Sequence, residues 1–361
     1  MRSYIDLISR LPLYYSFRNL GKPVLLPFNY TFSLTYRCNS KCKTCNIWKI
    51  KKAFELNTEE WISVIKSLGN SPFWITLSGG EPLLRRDLEE IVKVINEINK
   101  PKFITIPTNG LIDQTRKIER ILKILDEKTK LILNFSVDGI GEQHDFIRGV
   151  KGSWERVLKM YKNSKKLKER FENLYIGVHT VISVYNVKEF EKIARFIVEN
   201  LRPDSYITEI AENRKELYNL NLKITPSLPE YKKAIKFLLE IMEKEKRKSL
   251  FEVQALRREY YKYVINFLSN EKSLIASYAG FASVHITPSG EVWDCAVVGN
   301  ELGKLEEFDY NFKKLWKSEE ANRVREKIKK SHKCVLASEF YSNALFSFST
   351  AKKLFFDLIF R

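Results

Sequence analysis

From Thr31 onward, short apolar runs alternate with stretches whose apolar residues recur every three or four positions. The runs TFSLTY (31–36), FWITLS (73–78), FITIPT (103–108), LILNFSV (131–137), YIGVHTVI (175–182) and DSYITEI (204–210) have the length and β-branched content of strands. TEEWISVIKSLG (58–69), LEEIVKVINEINK (88–100) and VKEFEKIARFIVEN (187–200) carry helical spacing, and Asn57 or Thr58 can cap the first of them. Strand and helix alternating through six units predict right-handed crossovers and a parallel sheet. A curved or partly closed barrel suits six such units, and pattern alone leaves an open sheet as the alternative.

After Ala211 the pattern changes. Residues 216–270 read as charged helix with a break at Pro226 and Pro229, and SVHITPSGEVWDCAVV (283–298) reads as a hairpin turning at Pro288-Ser289-Gly290. The chain then divides into an aromatic and basic N-terminal extension (1–30), a barrel core (31–215), a charged helical linker (216–270), a small α+β extension (271–335) and an amphipathic C-terminal segment (336–361).

In barrels of parallel strands the chemistry gathers where strands end and loops begin. Those ends carry Cys38, Cys42 and Cys45 after the first run, Gly79-Gly80-Glu81-Pro82 after the second and Thr108-Asn109-Gly110 after the third. Ser136 and Asp138 follow on the fourth, His179 and Thr180 lie in the fifth, and Glu209 ends the sixth. All of them can converge on one pocket.

The chain has 361 residues but only five cysteines, three of them within eight positions, which points to a reducing interior and a metal or redox role. Soft thiolates select zinc, copper(I) or iron–sulfur clusters, and structural zinc closes its shell with four ligands. A local C-x3-C-x2-C set leaves one corner for Cys295, Cys334, a histidine or a small molecule. An iron with an open corner is useful, because a substrate or cosubstrate can bind it directly.

With SGGEP at the second strand end, this constellation resembles the radical SAM (S-adenosylmethionine) superfamily over about residues 31–210. The resemblance implies a partial (β/α)6 TIM-like barrel whose Cys38, Cys42 and Cys45 hold one 4Fe–4S cluster, with SAM chelating the fourth iron. It implies that Gly79, Gly80, Glu81 and Pro82 bind the amino group of SAM, and that Thr108 and Asn109 face the cofactor. Ser136 and Asp138 would line its ribose and methionine region, and Arg148, in HDFIRG, would meet its carboxylate through a planar fork. Many members place an aromatic residue just before the third cysteine; Thr44 stands there here, so Trp48 is expected to shield the adenine. The reaction implied is reductive cleavage of SAM to a 5′-deoxyadenosyl radical that takes hydrogen from a substrate, fed by an external donor of ferredoxin or flavodoxin type.

Residues 278–334 resemble the SPASM/twitch extension, although Tyr278 replaces an expected cysteine and only Cys295 and Cys334 remain. Two thiolates do not hold a four-iron cluster in the usual way, so a degenerate twitch-like domain is expected. His179 reads first as a satisfied core histidine, and Glu209 as either a substrate-facing carboxylate or a salt-bridge partner of Arg214 or a lysine.

Net charge is +18, from 62 Lys and Arg against 44 Asp and Glu. Basic runs such as KNSKKLKER and EKEKRKS are interspersed with Glu and read as solvated helix faces, while the excess charge also suits polyanionic partners. No RNA-binding module is apparent, so nucleic acid is not the expected partner. No signal-peptide pattern and no apolar run of about 18 residues stand out, so a cytoplasmic location is expected. Leu354, Phe355, Leu358 and Ile359 recur at helical spacing beside Lys352 and Lys353, which suits peripheral contact at the inner face of a membrane. On that basis the sequence leans toward a membrane-associated lipid or lipid-linked substrate. A peptide or protein substrate stands second, and a non-enzymatic zinc module bound to nucleic acid is the reading from another class.

Overall fold

The computed structural model describes residues 4–51, 53–244, 251–270, 275–331 and 334–347. An N-terminal helix, α1 (Tyr4–Leu20), precedes six parallel strands. These are β1 (Asn29–Ser33), β2 (Trp74–Ser78), β3 (Phe103–Thr108), β4 (Lys130–Ser136), β5 (Leu174–Ile182) and β6 (Ser205–Ile210). Each pairs with the next in sequence, so the barrel is built in chain order and stays open between β6 and β1.

The helices between them are α2 (Thr58–Leu68), α3 (Leu88–Val94), α4 (Thr115–Ile124), α5 (Glu142–Arg148), α6 (Ser153–Lys168) and α7 (Phe190–Phe196). Asn57 caps α2 in a reciprocal box with Glu60, and Trp61, Val64, Ile65 and Leu68 form its buried stripe. Where the sequence predicts unbroken helices over 88–100 and 187–200, α3 and α7 each end in one π turn (Ile95–Asn99, Ile197–Leu201). Lys100 (φ 46°) and Arg202 (φ 50°) close those turns in the left-handed region.

Side chains alternate across the strands in a way that prepares the site. On β2, Ile75 and Leu77 are buried while Trp74, Thr76 and Ser78 stay half-buried; on β4, Leu131, Leu133 and Phe135 alternate with Asn134 and Ser136. Phe135 meets Tyr161 of α6 at 5.3 Å, so the apolar set faces the helices and the small polar set faces the lumen.

The remaining chain does not form a detached unit. A loop leads to α8 (Leu228–Lys244) and α9 (Phe251–Asn270), where the buried Arg257 donates to the Tyr206 carbonyl at 2.9 Å. The residues expected to form the small α+β extension continue the barrel sheet. β7 (Ser283–Ile286) pairs parallel with the free edge of β1, and β8 (Glu291–Trp293) and β9 (Glu301–Lys304) follow antiparallel. Helices α10 (Phe312–Trp316), α11 (Glu319–Ser331) and α12 (Ala337–Ala344) close the chain.

Helix α1 buries Leu7, Tyr14 and Phe17, and Tyr14 packs on Phe28 and Phe346. Its other side leaves Ile5, Tyr15 and Leu20 exposed. Among the described residues, no helix is long and apolar enough to cross a membrane. The amphipathic stretch at Leu354–Ile359 lies outside the described residues.

Candidate active site

The loop leaving β1 carries Cys38, Cys42 and Cys45, and α5 holds it from behind. Lys41 N–H donates to the Arg148 carbonyl at 2.9 Å and Lys43 N–H to the Ile147 carbonyl at 2.8 Å. Groups that donate to sulfur surround the thiols: Ser40 N–H reaches Cys38 Sγ at 3.5 Å and Ile47 N–H reaches Cys45 Sγ at 3.4 Å. Burial, followed by repulsion from neighbouring sulfur, pushes the Cys38 thiol up to about 11 and the Cys45 thiol up to about 12. Bare thiolates here are therefore costly, and a bound iron centre offsets that cost while displacing the protons. Among the described residues, no three His, Cys, Asp or Glu side chains sit around a single-ion site. A cluster does not require one, because each thiolate holds a different iron. The three sulfurs, with N–H donors aimed at two of them, fit a cluster. Trp48 donates its indole N–H to the Cys45 carbonyl at 2.9 Å, which holds its ring close to the third cysteine.

The turn after β2 packs directly against this loop. A Cβ on Gly79 would stand 2.5 Å from the Thr35 carbonyl oxygen, and one on Gly80 would stand 2.3 Å from that of Arg37. Only glycine permits that approach, so this pair brings the turn onto the cysteine loop. Pro82 opens a single 3-10 turn, and Glu81 faces inward, not into open space. Its carboxylate accepts from Asn109 N–H at 2.7 Å, Thr108 Oγ1 at 3.1 Å and Leu83 N–H at 3.2 Å. Glu81 thereby latches the β2 and β3 ends together. Burial pushes it up to about 7 in spite of these donors. Asn109 extends toward the cysteines: its side-chain amide reaches Asn39 Oδ1 at 2.8 Å and Cys38 Sγ at 3.9 Å.

Asp138 and Arg148 are joined to each other. Arg148 Nη1 lies 2.9 Å from Asp138 Oδ2, and Asp138 Oδ1 accepts from Val181 N–H at 2.9 Å. Burial works against the Arg148 charge, but Cys42 and Asp138 hold the guanidinium firmly protonated. Among the described residues, the buried Arg148 Nε has no hydrogen-bond acceptor, which leaves a donor for an anionic ligand. Ser136 ends β4 half-buried in the lumen, paired in register with His179.

Residues 32–197 match the Radical SAM superfamily. That match spans somewhat less than half of the chain and takes in the cysteine loop, the Gly-Gly-Glu-Pro turn and Arg148. A match to this superfamily implies a 4Fe–4S cluster and SAM as cofactors. Over 226 residues the chain is 32% identical to the Fe-coproporphyrin III synthase of Methanosarcina barkeri, covering 61% of this chain and 51% of that protein. Over 299 residues it is 25% identical to the subtilosin biosynthesis protein AlbA of Bacillus subtilis, covering 81% and 60%. The chain thus spans about half of the first relative's length and somewhat more of the second's. The structure of SuiB from Streptococcus suis bound to SAM aligns with a TM-score of 0.61 at 14% identity, covering 91% of this chain and 73% of that one. The complex of SuiB with its precursor peptide SuiA gives the same score and identity over 97% and 80%. This likeness shows the fold, C-terminal strands included.

The other side of the radical SAM mouth is more heavily charged than the sequence suggests. Glu209 takes its place as an ion-pair partner: it lies 3.3 Å from Arg214 Nη2 and 3.4 Å from His179 Nε2, and it accepts from Ala337 N–H at 2.9 Å. Burial opposes its charge, but Arg214, then His179, hold the carboxyl far below its usual range. His179 is thus half-buried in the lumen, not sealed in the core. Tyr278 packs, stacked on Phe346 at 3.6 Å. Cys295 and Cys334 are buried thiols in contact with each other, among Ala279, Ala296 and Leu336.

Several positioning residues escape a reading of motifs. The open seam between β6 and β1 is stitched by the loop after β6. Asn219 donates to the Thr44 carbonyl at 2.8 Å, Asn46 N–H to the Leu217 carbonyl at 2.9 Å, and Lys215 N–H to the Val297 carbonyl at 3.0 Å. Glu216 on that loop accepts from Ser33 Oγ at 3.0 Å. Arg85, just past the Gly-Gly-Glu-Pro turn, binds the Leu34 carbonyl at 2.6 Å, the Leu56 carbonyl at 2.9 Å and Asp87 at 2.8 Å. Arg85 alone had a local signal, its place in the motif; the others act across long sequence separations.

Glu212, 3.3 Å from Arg214 Nε, gives a pH-dependent prediction. Burial pushes it up to about 7 against the lowering pull of Arg214. The native state therefore binds an extra proton between the ordinary carboxylate range and about pH 7. Stability from this group is full below that range and is lost as pH rises through about 7. Raising the pH from 5 to 8 is expected to cost the apo protein about 2 kcal/mol through Glu212, part of the full effect because the side chain keeps some solvent contact. Urea unfolding at both values should show a correspondingly shallower loss in Glu212→Gln; an unchanged loss would refute the assignment.

Proposed function

We propose that this chain uses SAM to abstract hydrogen from a peptide or protein substrate. The observation that carries the reading is the lumen: small polar side chains from β2 and β4, with His179, stay half-buried at a mouth bounded by the cysteine loop. Such a space admits an extended side chain reaching toward the cofactor site. In this reading Cys38, Cys42 and Cys45 hold the cluster, Arg148 receives the carboxylate of SAM, and Asn109 orders the Cys38 side. Bound there, cluster and SAM supply the reductive cleavage that yields a 5′-deoxyadenosyl radical. The barrel walls exclude water from that step, and the loop after β6 closes the seam.

The peptide reading is supported by relatives: AlbA is a bacteriocin biosynthesis protein, and SuiB was solved with a precursor peptide. Neither the structure nor the comparisons support the lean toward a membrane lipid, and the superfamily match displaces the zinc-module reading.

Deuterium transfer tests the proposal. The anaerobically reconstituted chain, given SAM and dithionite, is offered either a deuterated peptide digest or vesicles of deuterated phospholipid. Deuterium should enter 5′-deoxyadenosine from the digest. Label arriving from the vesicles alone would overturn the peptide reading.

A further inference from the structure

Two of the five cysteines lie away from the loop after β1, and the fold brings them together. Cys295 follows β8 and Cys334 precedes α12; both thiols are buried and in contact, among Ala279, Ala296 and Leu336. Either one alone would pack as a small hydrophobe. A facing pair can also react, because a bond between the sulfurs needs little movement once the backbone on each side is fixed.

Both sides are fixed. Asp294 Oδ1 accepts from Cys295 N–H at 2.7 Å and from Asn300 N–H at 2.8 Å, which holds the turn after β8. Opposite, Tyr263 of α9 donates to the Cys334 carbonyl at 3.3 Å and Tyr260 to the Val335 carbonyl at 2.9 Å. Val298 N–H lies 3.5 Å from Cys295 Sγ and supports a thiolate on that sulfur, whereas burial, then the Cys295 sulfur, pushes the Cys334 thiol well up.

The two segments also share a neighbour. The Val297 and Ala296 carbonyls accept from Lys215 N–H at 3.0 Å and Glu216 N–H at 3.2 Å, and Ala337 N–H donates to Glu209 at 2.9 Å. The loop that closes the barrel seam is thus held from the Cys295 side, and the end of β6 that feeds it from the Cys334 side.

We propose that Cys295 and Cys334 form a reversible disulfide that clamps together the two segments holding β6 and the seam loop. The oxidant is a low-molecular-weight disulfide. Cys295, as thiolate, attacks one of its sulfurs and releases one small thiol; Cys334 then gives up its proton, attacks the Cys295 sulfur and releases the second. One S–S bond is broken and one is formed, and the two protein thiols pass two electrons and two protons to the oxidant. In a reducing interior the pair rests as a dithiol and closes as small disulfides accumulate. The bond closes a loop that holds β9, α10 and α11, so it restrains their unfolding. The inference stands apart from the proposed peptide substrate.

The reconstituted full chain is incubated without oxygen with glutathione disulfide and, in parallel, with diamide, a thiol oxidant small enough to reach buried sulfur. Remaining thiols are alkylated after denaturation, and the peptides are mapped by mass spectrometry without reduction. Wild type should give a peptide pair joined through Cys295 and Cys334, released by dithiothreitol, with its iron content unchanged. The oxidised chain should melt at a higher temperature, and hydrogen exchange at residues 212–219 should slow. Cys295→Ser and Cys334→Ser should show neither change, and melting of their reduced forms checks that both fold. Full alkylation of Cys295 and Cys334 after both oxidants would overturn the pairing, as would bonds from them only to Cys38, Cys42 or Cys45. A Cys295–Cys334 bond that leaves exchange in the seam loop unaltered would overturn the clamp.

Discussion

Cys42→Ala, reconstituted without oxygen, is expected to lose its iron–sulfur absorption and to release 5′-deoxyadenosine only at background. Its iron and sulfide should fall from about four of each per chain to near zero. The reason is the shape of the donor set: Cys38, Cys42 and Cys45 share one loop, and among the described residues Cys295 and Cys334 lie together in a separate apolar cluster. No spare thiolate stands beside the loop to replace Cys42. The contrast makes the test sharp. Cys295→Ala and Cys334→Ala should each keep full iron content, because those thiols are buried against each other, and burial pushes Cys334 well above its usual range. Iron lost in either of these variants would mean that a second cluster is held there. Iron kept in Cys42→Ala would remove the triad from the cluster site.

Arg148→Ala is expected to be the most damaging substitution outside the cysteines. It would leave Asp138, whose side chain is 2% exposed, as an uncompensated buried carboxylate. Losing one partner of such a pair costs about 3–5 kcal/mol. The same variant should bind SAM at least roughly tenfold more weakly, since a charge-assisted bond to its carboxylate would go. A second variant separates the two effects. Asp138→Asn/Arg148→Met removes both charges and should recover much of the stability, read by thermal melting, without recovering SAM affinity, read by equilibrium dialysis. Restored SAM binding in the double variant would assign Arg148 a purely structural role. Arg148→Lys should fall between, because an ammonium keeps the charge but not the fork.

Much of this site was legible before folding was considered. The six strand runs agree with the observed strands to within a few residues at their ends, and the ends of β2 and β3 meet the cysteine loop through Glu81 and Asn109. Parallel strands buried on their helix side must carry apolar side chains at local spacing, and the cysteine and Gly-Gly-Glu-Pro motifs are local too. The roles inside the motifs were less legible. Glu81, expected at the amino group of SAM, also accepts from the backbone of Asn109 and Leu83, a role the motif does not show. Asp138 and Arg148, ten residues apart, looked like two separate contacts and form one pair.

By itself the sequence determined what is carried by neighbours along the chain: barrel units, a capped helix and three thiols on one loop. Only the tertiary structure decided what depends on distant segments. The 283–304 strands extend the barrel sheet from the free edge of β1, and the loop after β6 seals the seam through Asn219 and Thr44. Glu209 is committed to Arg214, His179 and Ala337. The physical reason is common to all three. A hydrogen bond or ion pair between remote segments leaves no periodicity in the sequence, because its energy is gained only after the core has brought both partners out of water.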